Sequence, residues 1–287
     1  MDKTYKEISN VVKADMERVK SILKIKFDFN SNLSNELSKY LTGSSKMIRT
    51  LVTVLYLRAS KIYLLPEHYE LFAAAEIVHN ASLIHDDVID EGKQRRNRKT
   101  LNENFDNQLA VTCGDYLIGI ALDKLTNIGN LQIISEFSDV MKNMCKGEIE
   151  QYFNKFKKIK LNKYILKTEL KTAKLFEGLI VSSLLLSQDN KKIDLAREFA
   201  KNFGIAFQIK DDLKNVMGLD ISKNSEDFDN GIFTAPYILS EDLQKGIEKT
   251  KKLLDNYIEC AHNCIDEFDK SVYKSALCNL LELMRNV

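Results

Sequence analysis

Proline and glycine are scarce in this sequence. Only Pro66 and Pro236 occur among 287 residues, with eleven glycines, so long stretches run without the residues that break helices. No segment shows sustained apolar–polar alternation closed by hairpin-type turns, which argues against a sheet fold. Long hydrophobic runs are missing too. The most apolar stretches, such as 178–187, fall well short of the ~20 residues that cross a bilayer, so no integral membrane segment is expected. The opening run MDKTYKEISNVVKADMERVK mixes charges with apolar residues and lacks the apolar centre of a secretory signal. An excess of one charge is also absent. Lys and Arg total 42 against 41 Asp and Glu, a net charge of +1. That balance gives no overall attraction to nucleic acid or acidic membranes, so any polyanion would need a local cluster.

Cysteine is sparse and scattered: Cys113, Cys145, Cys260, Cys264 and Cys278. An odd number, without an export signal, implies reduced thiols and a cytoplasmic protein. Cys260-x-His262-x-Cys264 has two zinc-ligand types, but the spacing is wrong and no fourth ligand is near. Core packing of both thiols at i and i+4 on a helix is the expected alternative.

What is present is helical. Apolar and small residues recur at threes and fours, as in Leu71, Ala74, Ala75, Val78, Ser82, Leu83 and again in Phe199, Phe203, Ala206, Phe207. The spacing predicts helices over 3–25, 31–42, 45–63, 67–90, 106–126, 131–154, 162–187, 191–217, 241–260 and 266–285. Loops are expected at 91–105, 155–161 and 218–233. No repeat or low-complexity linker interrupts the chain. A composition 44% apolar and 29% charged suits one all-α domain, 1–287, built as a large helical bundle around a buried centre.

Two acidic clusters end apolar helices. In the first, Asp86 and Asp90 stack at i and i+4, with Asp87 about 100° round the helix. Three carboxylates within two turns repel unless a cation joins them. Such oxygen-rich clusters suit Mg²⁺, which completes its shell with water and phosphate. The second cluster places Gln208, Asp211 and Asn215 on one face, with Asp212 beside them. About 125 residues apart in sequence, the two clusters can face each other across a bundle cavity, as helical metal sites do. Basic residues lie nearby: five of the seven residues 93–99, then Lys46 and Arg49 at i and i+3, with Lys171 and Lys223 more isolated. The combination suits two diphosphates, one chelated through Mg²⁺ and one held by Arg and Lys.

On these residues the sequence resembles the trans-isoprenyl diphosphate synthases, the polyprenyl synthetase family. The resemblance runs in order through GSSKMIRT (43–50), HNASLIHDDVIDEGKQRR (79–96), CGDYL (113–117), KGEIEQ (146–151), KTAKLF (171–176), GIAFQIKDDLKN (204–215) and KNSEDFDNGIFTAP (223–236). It implies an isoprenoid-synthase-type bundle and a Mg²⁺-dependent prenyltransferase that joins isopentenyl diphosphate to an allylic diphosphate, as a homodimer. By the same resemblance Asp86, Asp87, Asp90, Asp211, Asp212 and Asn215 hold the metal ions. Arg95, Lys171, Thr172, Gln208 and Lys223 contact the allylic diphosphate, and Lys46, Arg49, His79 and Arg96 hold isopentenyl diphosphate. Catalysis rests on Asp86, Asp87, Lys171 and Asp211.

The sequence departs from the family pattern at several positions. Ser44-Ser45 replaces a Gly pair and Met47 an Arg, which thins the isopentenyl site. Asn215 replaces an Asp, Ile232 a Lys and Lys99 a Pro. Ala81 and Ser82, the fifth and fourth residues before the first cluster, are small where short-product members carry bulky residues. Growth past twenty carbons is therefore expected, as in medium- and long-chain polyprenyl synthases. A geranylgeranyl or farnesyl diphosphate synthase is the alternative. A non-catalytic subunit of a heteromeric synthase fits less well, because the first motif keeps all three aspartates.

Overall fold

Both prolines begin helices, where a missing N–H costs nothing. The structure, a computed structural model, describes residues 3–43, 45–95, 98–218 and 231–287, without the side chain of residue 3. In chain order the helices are α1 (Lys3–Asn10), α2 (Lys13–Ile22), α3 (Ser31–Thr42), α4 (Ile48–Ala59) and α5 (Pro66–Ile89). After a two-residue hairpin of β1 (Gln94–Arg95) and β2 (Arg98–Lys99) come α6 (Leu101–Asn104), α7 (Asn107–Ile128), α8 (Leu131–Phe153) and α9 (Leu161–Thr168). A π-helical turn, Glu169–Ala173, leads into α10 (Lys174–Leu186). A 3₁₀ turn precedes α11 (Ile193–Val216), and α12 (Ala235–Leu239), α13 (Leu243–Asn263) and α14 (Val272–Arg285) complete the set.

Side-chain caps explain several boundaries. Asn30, Asp106, Asn130, Asp242 and Ser271 each accept backbone N–H bonds at a helix start. Gly129, at φ +74°, closes α7 in the left-handed conformation that glycine adopts without a Cβ penalty. Four expectations change. The helix anticipated over 3–25 breaks after Asn10, where Val11 and Val12 bring two β-branched residues together. Residues 162–187 are interrupted by the π turn. The loop at 91–105 contains the small hairpin and α6. Cys264 is buried but Cys260 is exposed, so only one of the pair packs in the core.

α5 and α10 carry long buried stretches at the centre. An aromatic ladder runs Tyr56–Phe199–Phe203–Phe176–Phe207, with ring centroids 4.9 to 5.9 Å apart. Each such buried ring contributes about 2–3 kcal/mol by removal from water. The ladder ends at the cavity, which Phe203 and Phe207 help to line. Among the described residues, no helix is long and apolar enough to cross a membrane.

Candidate active site

α5 and α11 are both 24 residues long, and each runs from buried apolar turns into acids near its C-terminal end. A helix C-terminus carries partial negative charge, so carboxylates there need cations or hydrogen-bond donors. A cavity of about 820 Å³ collects both ends, a size usual for ligand sites.

From α5, Asp86 and Asp90 line this cavity. Lys171 Nζ lies 3.8 Å from Asp86 Oδ1 and also pairs with Glu148, while Lys155 Nζ lies 3.6 Å from Asp90 Oδ1. Burial pushes Asp86 up to about 6, with Lys171 pulling it back and the Glu148 charge adding to the rise. Burial works to lower Lys171, but Asp86 and Glu148 outweigh it and hold the ammonium above its ordinary value.

Asp87, expected at the metal, does not line the cavity with Asp86 and Asp90. The helical turn carries it off the face of Asp86 and Asp90, and it is 4% exposed. Arg95 Nε donates to its Oδ1 at 2.7 Å and the Tyr40 hydroxyl to its Oδ2 at 3.2 Å. Tyr40 in turn accepts from Leu101 N at 3.3 Å. Burial raises Asp87, and Arg95 opposes the rise. Arg95 itself reaches the cavity.

From α11, Asp211 and Asn215 line the opposite part of the wall, with Asp212 and Gln208. Asp212 is 3% exposed. It accepts from the Tyr164 hydroxyl at 2.6 Å and from Gln208 Nε2 at 2.9 Å. Gln208 Oε1 accepts from Thr172 Oγ1 at 2.9 Å. Gln208 and Thr172, both expected at the allylic diphosphate, therefore also form a chain that ends on Asp212. Tyr164 is wholly buried; burial, then the Asp212 charge, pushes its phenol well up, so it remains a donor.

The π turn connects the two clusters. Its Lys171 faces the first and its Thr172 the second. Two glycines allow neighbouring helices to close on it. A Cβ on Gly147 of α8 would fall 2.8 Å from Lys171 N, and one on Gly204 of α11 would fall 2.5 Å from Ala173 Cα. The extra residue of a π turn is a recurrent feature of functional sites.

Lys46, Arg49 and His79 line a further part of the cavity. Tyr5 donates to Lys46 O at 2.6 Å, and Lys46 Nζ lies 5.2 Å from the Tyr5 ring centroid. Arg49 Cζ sits 5.2 Å from the Phe176 centroid, a cation–π arrangement. Met47, at φ +46°, is buried in the core at the start of α4. Ile232 lines the cavity. Ser82 lines it, whereas Ala81 is fully buried in the core and is not among the lining residues. Arg96 and Lys223 lie outside the described residues.

Sequence reasoning missed Glu148, Lys155, Tyr40 and Tyr164. Glu148 stood inside KGEIEQ, a motif already noted; Lys155 opened a predicted loop. No local signal marked either tyrosine, since each acts through a contact 47 or 48 residues away. Among the described residues, no three His, Cys, Asp or Glu side chains form a ready-made metal cage.

A sequence model described as polyprenyl synthetase matches residues 31–275. Solanesyl diphosphate synthase 2, chloroplastic, of Arabidopsis thaliana is 33% identical over 246 residues, covering 80% of this chain and 58% of that protein. Decaprenyl-diphosphate synthase of Dictyostelium discoideum is 30% identical over 283 residues, covering 88% and 62%. The chain thus spans about three fifths of the length of these curated relatives. A polyprenyl synthase from Caulobacter crescentus, solved in complex with calcium and isoprenyl diphosphate, shares the fold with a TM-score of 0.89 at 20% identity, covering 100% of this chain and 99% of that one.

Proposed function

The chain belongs to the polyprenyl synthetase family, and on that premise we propose that it elongates an allylic diphosphate with isopentenyl diphosphate to an all-trans product longer than twenty carbons. The observation that carries this reading is one cavity with acids and cations at its polar end and an apolar wall below. That wall includes Val78, Leu83, Ile118, Met141 and Met144. The residues form a single domain in this reading.

The donor set fits Mg²⁺. Asp86 and Asp90 from α5, with Asp211 and Asn215 from α11, are the residues that would hold it; Asp87 and Asp212 are occupied as described. Bound there, Mg²⁺ supplies positive charge to a leaving diphosphate. Lys171 and Arg95 add fixed cations for the same diphosphate, stabilising charge that develops on its oxygens as the allylic C–O bond ionises. Lys46, Arg49 and His79 hold isopentenyl diphosphate so that its double bond attacks the carbocation. Loss of a proton to the departed diphosphate completes a five-carbon extension. The apolar wall excludes water, which would otherwise trap the cation.

A homodimer accords with exposed apolar residues on two adjacent helices: Val111, Tyr116 and Leu122 of α7 and Leu131, Ile149, Tyr152 and Phe153 of α8. A reducing, cytoplasmic setting accords with five free thiols.

The test is incubation of the purified protein with Mg²⁺, labelled isopentenyl diphosphate and farnesyl or geranylgeranyl diphosphate. The dephosphorylated products are then separated by chromatography. A ladder ending beyond twenty carbons is expected. Products stopping at fifteen or twenty would keep the chemistry and revise the length. No extension with any primer would overturn the reading in favour of a subunit that needs a catalytic partner.

A further inference from the structure

In each acidic cluster the second aspartate is gripped by a tyrosine from a helix that supplies none of the acids. Tyr40 comes from α3 and Tyr164 from α9. Building on the metal-assisted reading above, we infer that Tyr164 is a positioning residue of the second cluster. Its phenol, with the Gln208 amide, fixes Asp212 and so sets the turn of α11 that presents Asp211 and Asn215 to Mg²⁺.

A purely structural role would have Asp212 present only to satisfy a buried phenol. The costs argue against that. An ionised carboxylate is far more expensive to bury than a tyrosine hydroxyl, and a Phe paired with an apolar residue would fill the same space. The bond is short, 2.6 Å, as expected for an O–H donor on a charged acceptor. Both carboxylate oxygens are engaged, Oδ2 by Tyr164 and Oδ1 by Gln208, so the side chain has little freedom to rotate. The acid next to it in sequence is Asp211, which lines the cavity. Tyr164 also stands on the helix that leads into the π turn, so one phenol ties Lys171's segment to the second cluster.

Tyr40 repeats the arrangement with a different output. Its hydroxyl and Arg95 share Asp87, so the grip there orients a cation directed at the substrate. The two tyrosines should therefore affect different measurements.

Mg²⁺ is titrated calorimetrically into wild type, Y164F, Y40F, D211N and D212N, each with an unreactive allylic thiodiphosphate present. Steady-state kinetics and melting temperatures are recorded alongside. Y164F is expected to bind Mg²⁺ about tenfold or more weakly, in line with losses of outer-shell partners at metal sites. Its KM for isopentenyl diphosphate should be unchanged. Y40F should keep the Mg²⁺ affinity and raise KM for the allylic diphosphate. D212N should resemble Y164F and fall short of the near-complete loss in D211N. Wild-type Mg²⁺ affinity in a folded Y164F would overturn the inference. So would a D212N as defective as D211N, which would make Asp212 itself a ligand. If Y164F does not fold, D212N decides, because it removes one of the two acceptor oxygens by which Tyr164 and Gln208 fix the side chain. A wild type that takes up no Mg²⁺ would instead remove the metal reading itself, and the positioning role with it.

Discussion

The acidic ends of α5 and α11 look alike in sequence and are held differently in space. At the first, each acid faces a cation: Lys171 at Asp86, Arg95 at Asp87 and Lys155 at Asp90. At the second, Asp212 is fixed by a phenol and an amide. Neutral donors orient a carboxylate without cancelling its charge, whereas a guanidinium in contact largely neutralises it. The lesson is that a repeated Asp-Asp does not mean a repeated role. In each pair the second member accepts from a tyrosine hydroxyl, Tyr40 at Asp87 and Tyr164 at Asp212. What differs in these contacts is the donor: a guanidinium that itself reaches the cavity at Asp87, a phenol and an amide at Asp212.

The comparison can be broken most severely at the cavity-facing members. Asp86→Ala should reduce turnover about 10³-fold, the scale seen when a centre of charge stabilisation is removed. The helix should survive, since Ala is a strong helix former. Circular dichroism beside the product assay checks both, and near-normal turnover would sink the metal assignment. Asp87→Asn should be milder and of a different kind. Losing the charge that orients Arg95 should lower kcat/KM for the allylic diphosphate roughly 10- to 100-fold while sparing isopentenyl diphosphate. Equal loss for both substrates would mean that Asp87 does not act through Arg95.

Sequence spacing alone separated part of this. The helical angle between Asp86 and Asp87 already put them on different faces, and the i, i+4 pairing of Asp86 with Asp90 survives in the structure. The helical character of the chain was legible because apolar spacing is a local signal. The π turn was not, because KTEL and KTAK read as ordinary helix. It takes the close approach of Gly147 and Gly204 to reveal what Lys171 and Thr172 each face. Tyr40 and Tyr164 were illegible for a related reason: a phenol's partner is set by tertiary packing, not by its neighbours in sequence. Ala81 and Ser82 show the limit of a positional rule, since adjacent residues on a helix point about 100° apart and only Ser82 borders the cavity.

The link between the clusters can be strained directly. Gly204→Ala places a Cβ against the backbone of Ala173, which cannot rotate away as a side-chain tip would. Overpacking of this kind costs about 1–3 kcal/mol. We expect a lower urea midpoint together with roughly tenfold slower turnover, because displacing the π turn moves Lys171 and Thr172 at once. Gly119→Ala, where no atom lies within 4 Å of the added Cβ, is the control and should change neither. A G204A that loses stability alone would mean that the π turn's placement does not matter to the chemistry.

The smallest effect concerns how α5 is anchored at the end remote from its acids. His68 Nδ1 accepts from Leu65 N at 3.0 Å, and Nε2 lies 3.1 Å from the Ser183 carbonyl, so the ring is neutral with its proton on Nε2. Burial pulls its pKa below the ordinary value. Above about pH 6.5 the ring is neutral in both folded and unfolded chains, and it contributes no slope. As pH falls through that value the unfolded chain takes up a proton that the folded ring resists, so stability declines until the folded ring protonates too. Urea unfolding at about pH 7.5 and about pH 5.5 should show a loss in wild type that is smaller in His68→Gln. An identical loss in both would place the pH sensitivity elsewhere. If the difference is found, acid first loosens the start of α5 where it meets α10, while α11, which has no part in this contact, keeps its anchorage.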